Sequence, residues 1–74
     1  MNYDLDTKKG MANAVQWTTD HFAKIKDGGM WMVPRSGTLV IVHHKSKSVT
    51  IMAGILPDPS ITRVIKAMGW TVKE

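Results

Sequence analysis

Two adjacent histidines followed by two lysines are the residues of this chain best suited to chemistry. They form the segment His43-His44-Lys45-Ser46-Lys47. An imidazole can act as a general base, and each lysine can bind a phosphate and release a counterion. The same residue types also suit a solvated turn, where lysine blunts the end of a sheet. Both interpretations place this basic segment at the protein surface.

A metal site or other cofactor site is not predicted. Neighbouring residues of a strand point to opposite faces, so His43 and His44 cannot readily bind one ion. A zinc site usually takes four ligands. The chain has no cysteine, so only His21 and scattered aspartates remain to complete such a site.

An enzyme is not predicted either. The acidic residues lie mostly near the termini or at helix ends, and no two share one element as general acid–base catalysis requires. The serines lack the context of an activated nucleophile. The weakest alternative is a ribonuclease with a histidine base, in which Lys45 or Lys47 stabilises charge.

A second candidate contact lies in the segment Trp31-Met32-Val33-Pro34-Arg35-Ser36-Gly37. Arg35 carries a donor fork that suits a carboxylate or a phosphate, and Trp31 offers a large aromatic surface. The alternative is a turn with an exposed arginine and a tryptophan that fills the core. The candidate partner-binding residues are therefore Trp31, Arg35, His43, His44, Lys45 and Lys47.

The first element that positions these residues is a helix over about 9–26. Residues of one helical face recur with a 4-3-4-3 spacing, at Met11, Val15, Thr18, Phe22 and Ile25. Asp27-Gly28-Gly29 follows, and glycine accepts the left-handed conformation that ends helices. The N-terminal residues 1–10 lack this periodicity and are expected to form a flexible arm before a domain over 11–74.

Three strands are predicted next. Met30 to Val33 forms a short strand that Pro34 confines to an edge. Leu39 to Val42 and Ser48 to Met52 alternate at a period of two around the basic turn, which is typical of a hairpin. Both faces of the middle strand carry apolar residues, and a dimer would explain the second face.

A second helix follows the hairpin. Asp58 is suited to cap it and Pro59 to its first position, and the apolar residues Ile61, Val64, Ile65 and Met68 share one face. Gly69 ends it, and Trp70-Thr71-Val72 offers a short final strand. The prediction is an α+β domain of order α-β-β-β-α, in which an antiparallel three-stranded meander packs against two helices.

Composition limits the alternatives. The chain has 74 residues, a formal net charge of +4 and a pI near 9.7. One small domain fits this length, and no apolar run approaches the roughly 20 residues that span a bilayer. The absence of cysteine suits a reducing cytoplasm, and the basic charge permits contact with nucleic acid or an acidic protein.

Two resemblances extend this prediction. The α-β-β-β-α order with a basic hairpin is similar to the double-stranded-RNA-binding-like fold, which includes small mRNA-interferase toxins. Those toxins carry a Gly-Ser-His-His-type stretch at the start of the second strand. Here His43-His44 ends that strand and follows Val42, so only the likeness of fold carries over.

The second resemblance is to the small early proteins of tailed phages. It rests on the block over 28–38 and on the ending Gly69-Trp70-Thr71-Val72-Lys73. Such proteins commonly bind a host machine, often RNA polymerase, which implies a binder in the cytoplasm of a bacterial host.

The expected function is therefore a small non-enzymatic regulator that binds and modulates a host macromolecule, with the transcription machinery as the first candidate. The alternative is a nucleic-acid-binding protein that uses the basic hairpin. The protein is expected to be a monomer or a homodimer without a membrane segment.

Overall fold

Two helices and a four-stranded sheet make up the part of the chain that the structure, a computed structural model, describes: residues 3–34, 36–52 and 59–73. The elements in chain order are α1 (Lys8–Ala23), β1 (Met30–Met32), β2 (Leu39–His43), β3 (Ser48–Met52), α2 (Pro59–Ala67) and β4 (Thr71–Lys73). This order confirms the predicted α+β fold. Neither helix, over the residues described, is long and apolar enough to cross a membrane.

Helix α1 starts and ends earlier than the periodicity predicts. Thr7 caps its N-terminus, since its side chain accepts a hydrogen bond from the amide of Gly10. The helix ends at Ala23, not near residue 26, and Lys24 caps it in a right-handed conformation. The left-handed Gly28 therefore belongs to a separate turn before β1. The helix also takes in residues 8–10, which were expected to lie in the N-terminal arm.

The N-terminal residues fold back on α1. Thr7 donates both its amide and its hydroxyl to the carbonyl oxygen of Asp4, at 3.3 and 3.0 Å. Gly10 is buried beneath this turn, so close to the carbonyl of Asp4 that a Cβ atom would overlap it. Arg63 of α2 lies over the turn, 3.5 Å from the carboxylate of Asp6. This exposed ion pair contributes little by itself.

The sheet has the strand order β1-β2-β3-β4. The first three strands form the predicted antiparallel meander, with Val40 opposite Trp31 on one side and Ile51 on the other. The final strand is also present, and it pairs with β3 in parallel. Helix α2 makes this possible, because parallel neighbours need a long crossover connection.

The crossover helix begins at the predicted Pro59 and ends before Gly69, which has a φ of +86°. Trp70 then packs back on the last turn of α2 and on α1. Its amide donates a hydrogen bond to the carbonyl of Ile65, and its ring centroid lies 5.3 Å from that of Phe22. Asp58, the predicted cap, lies outside the described residues.

Both helices cover the same face of the sheet. The core contains Phe22 of α1, Ile61 and Ile65 of α2, and the alternating strand residues Val40, Val42 and Val49, all almost completely buried. In the described part of the chain no helix packs against the other face. The architecture is therefore two layers, with one side of the sheet uncovered.

Candidate partner-binding surface

The uncovered side of the sheet carries a row of apolar side chains. We call it the open face, and its members follow from the strand register: Met30, Met32, Leu39, Ile41, His43, Ser48, Thr50, Met52, Thr71 and Lys73. They alternate with the core residues along each strand, as the pleat requires.

Three methionines make this face unusual for a solvated surface. Met30, Met32 and Met52 are 59%, 61% and 47% exposed. Met32, Leu39 and Met52 are successive cross-strand neighbours, and Ile41 lies beside Met30 in the next row. The apolar atoms therefore form one contiguous area across three strands. Contiguous exposed apolar area is typical of contact sites, and methionine adapts readily to a partner surface.

The other end of the open face is polar. His43 and Thr50 are diagonal neighbours, and a ring nitrogen of His43 lies 3.0 Å from the Thr50 hydroxyl. Lys73 lies beside Thr50 on β4. No acidic side chain of the described residues belongs to this face. The surface therefore has an apolar half and a polar half, and the polar half carries His43 and Lys73.

The hairpin tip, residues 44–47, is exposed at both lysines. Its last residue, Lys47, has a φ of +49°, the left-handed conformation that closes a four-residue hairpin loop. The Ser46 and Ser48 hydroxyls lie 2.7 Å apart and fix the turn from within. Lys45 and Lys47 thus lie in solvent, as predicted from the sequence.

His44 is not exposed in this way. Its ring nitrogen Nε2 lies 2.6 Å from the carbonyl oxygen of Ile25, and its amide donates to the carboxylate of Asp27 at 2.8 Å. Its ring also meets Trp70 edge-on, with centroids 5.8 Å apart. His44 therefore fastens the hairpin to the connection between α1 and β1, and this structural role occupies its imidazole.

Trp31 lies on the helix-covered face. It meets Phe22 and His21 edge-on, with ring centroids 6.0 and 4.7 Å away. The indole of Trp17 stacks on His21 and remains 37% exposed. Trp31 is thus a half-buried part of an aromatic cluster, and Trp17 is the tryptophan that reaches solvent. Arg35 lies outside the described residues.

The aromatic cluster holds an unusual histidine. The Nε2 atom of His21 is buried, and the described residues provide it with no hydrogen-bond partner. Burial, and secondarily the charge of Lys24, lower the pKa of His21 below its usual value. The neutral imidazole is therefore the form that this packing favours.

Of the six predicted contact residues, the structure groups His43 with the open face and Lys45 and Lys47 with the hairpin tip. Sequence reasoning missed Met30, Met32 and Met52. Their signal was present, since alternation from Met30 to Met32 and from Thr50 to Met52 puts them on one face. The sequence did not reveal which face the helices cover.

Comparison with protein-family models, curated proteins and solved structures gives no match to this chain. Among the residues described, no group of three or more histidines, acidic residues or cysteines is placed to hold a metal ion. The surface must therefore be interpreted from its own chemistry, which suits binding.

Proposed function

We propose that this protein is a small non-enzymatic regulator that binds an acidic protein surface through the open face of its sheet. The observation that carries the proposal is the exposure of Met30, Met32 and Met52 on a face that neither helix covers. In line with the resemblance to phage early proteins, the partner we propose is bacterial RNA polymerase.

The apolar half of the open face supplies affinity in this proposal. Ile41 lies at the middle of the face, and the three exposed methionines surround it on two sides. Water leaves such side chains favourably when a partner covers them. Protein interfaces usually combine an apolar cluster that becomes buried with polar groups beside it.

The polar half of the open face determines what kind of partner is attracted. Lys73 and His43 belong to the open face, and Lys47 adjoins it, because its carbonyl accepts a hydrogen bond from Thr71 of β4. Together with the net charge of +4, these groups favour an acidic partner and speed its encounter.

Nucleic-acid binding is the alternative, and the geometry supports it less. The two exposed lysines of the hairpin tip provide few phosphate contacts, and the carboxylate of Asp27 lies at the base of the tip. The nearest aromatic ring, Trp70, packs against His44 and Phe22. Single-strand binding usually adds exposed aromatic rings on which bases stack.

Affinity for purified bacterial RNA polymerase tests the proposal. Met52→Lys places a charge in the apolar half of the face, and we expect it to weaken binding at least tenfold, about 1.4 kcal/mol. Ala67→Lys is the matched control, since it adds the same charge at an exposed position of α2. The control should bind like the wild type.

A second arm separates the two kinds of partner. Lys45→Ala combined with Lys47→Ala should abolish binding to DNA or RNA if the tip binds phosphates, and wild-type affinity should then fall steeply with salt. Strong, salt-sensitive nucleic-acid binding that Met52→Lys leaves intact would favour the alternative. Equal binding of RNA polymerase by Met52→Lys and Ala67→Lys would contradict the open face as the contact.

A further inference from the structure

Strand β1 is an edge of the sheet, and its outward hydrogen-bonding groups can be assigned. The amide of Val33 donates to Thr38, and the amide of Val42 donates to Gly29. Hydrogen-bonded positions alternate along an antiparallel pair. Residues 29, 31 and 33 therefore bond to β2, while the N–H and C=O groups of Met30 and Met32 point away from the sheet.

This edge is short and is followed by Pro34, but its own residues carry no charge that would prevent pairing. Lysine, inward-pointing charge or a cover of other chain normally prevents pairing at an exposed strand. Here residues 28–33 carry no charge. Exposed apolar groups flank the edge on both sides, since Met30 and Met32 lie on the open face and Trp17 lies beside Trp31 on the other.

We propose that β1 pairs with β1 of a second copy of this chain, antiparallel and about a two-fold axis at Trp31. In this register Met30 of each copy lies opposite Met32 of the other. Each of these two pairs exchanges two backbone hydrogen bonds, so the contact makes four. The result is a continuous eight-stranded sheet whose two open faces join into one surface.

The register permits a second copy as the occupant, and the exposed apolar side chains on both sides of the strand favour it. The outward groups of Met30 and Met32 are symmetric about Trp31, so the strand is complementary to itself, as a two-fold contact requires. Apolar side chains meet on both faces of this contact. Four methionines adjoin on the open face, and Trp31 of each copy lies opposite Trp31 of the other on the second face.

The distribution of charge permits this association despite the net charge of +4. Lys73 lies in the same row as Met30, three strand spacings away, which is roughly 14 Å. Charges at that distance are largely screened at physiological salt, where the Debye length is about 8 Å. On α1, Asp20 and Lys24 lie about one and two turns beyond Trp17, and their opposite charges offset each other.

The dimer is independent of the proposed function, since it forms without any partner.

Sedimentation equilibrium of the purified protein tests the dimer. Met32→Pro removes an outward N–H while keeping the inward ladder, because proline is tolerated at a strand edge whose N–H faces solvent. We expect it to raise the dissociation constant of the dimer at least tenfold. Met32→Val retains the N–H and should keep the constant within about threefold.

Met30→Lys supplies a second variant that leaves the backbone unchanged. It places one lysine on each side of the contact, directly beside the partner strand, and should likewise raise the dissociation constant at least tenfold. Circular dichroism shows whether each variant folds. If Met32→Pro does not fold, Met30→Lys alone tests the dimer. A wild-type protein that stays monomeric up to about 1 mM, or a dimer that neither variant weakens, would overturn the proposal.

Discussion

His44 donates a hydrogen bond from its Nε2 atom to the backbone carbonyl oxygen of Ile25, 2.6 Å away. The carbonyl can only accept, so the proton lies on Nε2. Nineteen residues separate the two positions, and the bond fixes the hairpin to the connection that leads into β1. The edge strand and the open face thus depend on this contact for their position.

His44→Ala should therefore destabilise the protein. It removes the hydrogen bond to Ile25 and the edge-on contact with Trp70, and we expect a loss of about 1–2 kcal/mol in the free energy of unfolding. Urea denaturation measures it. His43→Ala is the control, because among the described residues the ring of His43 hydrogen-bonds to the Thr50 hydroxyl on the open face and to no residue of the helices or the α1–β1 connection. Equal losses in the two variants would contradict the structural role of His44.

Gly10→Ala should also destabilise the protein, against the usual trend. Alanine in place of a helical glycine normally gains about 1 kcal/mol. Here the new Cβ would overlap the carbonyl oxygen of Asp4 and lie 2.8 Å from the Thr7 hydroxyl. We expect a net loss of about 1–3 kcal/mol, measured by thermal unfolding.

The control for this prediction is Asn13→Ala. Asn13 is exposed on the same helix, so the substitution should raise stability by up to about 0.5 kcal/mol. A stabilising Gly10→Ala would mean that the turn over residues 4–7 does not pack on α1 in solution.

Lys47→Gly should stabilise the hairpin. A left-handed residue with a side chain costs roughly 1–2 kcal/mol relative to glycine, and Lys47 has this conformation. After the greater entropy of glycine in the unfolded chain is subtracted, we expect a gain of up to about 1 kcal/mol. Lys45→Gly removes the same charge without relieving a positive φ, and should be neutral or destabilising. A reversed order in urea denaturation would count against this turn.

Stability should depend on pH through His21. Burial and Lys24 lower the pKa of His21 in the folded state, so the unfolded chain binds more protons between that pKa and about 6.5. The contribution of His21 to stability is complete above about pH 6.5. It is lost as the pH falls from there towards the folded-state pKa.

Unfolding free energies of wild type and His21→Phe, compared across this range, isolate the effect. Phenylalanine keeps a ring against Trp17 and removes the buried Nε2 atom, so His21→Phe should lack this part of the pH dependence. Identical pH profiles for the two proteins would contradict the burial of His21.

The strands could be predicted from the sequence because their alternation is strict over Leu39 to Val42 and Ser48 to Met52. The end of α1 could not, because Ile25 continues the apolar spacing although it lies in the turn after the helix. Its carbonyl accepts a hydrogen bond from the ring of His44, which lies far from Ile25 in the sequence.

The open face was harder to predict because the choice of buried face also depends on contacts between residues far apart in sequence. Val40 and Val42 face the helices while Leu39 and Ile41 lie on the open face, and both pairs are equally apolar. Only the packing of Phe22, Ile61 and Ile65 determines which pair is buried. The exposed methionines follow from that packing and not from local sequence.

Site-specific photocrosslinking to bacterial RNA polymerase tests the open face most directly. A photoreactive phenylalanine analogue is placed at Met52 on the open face, at Ala67 on α2, or at Lys45 in the hairpin tip. We expect an efficient crosslink from position 52 and little from position 67. Crosslinks confined to positions 67 or 45, with none from position 52, would contradict this expectation.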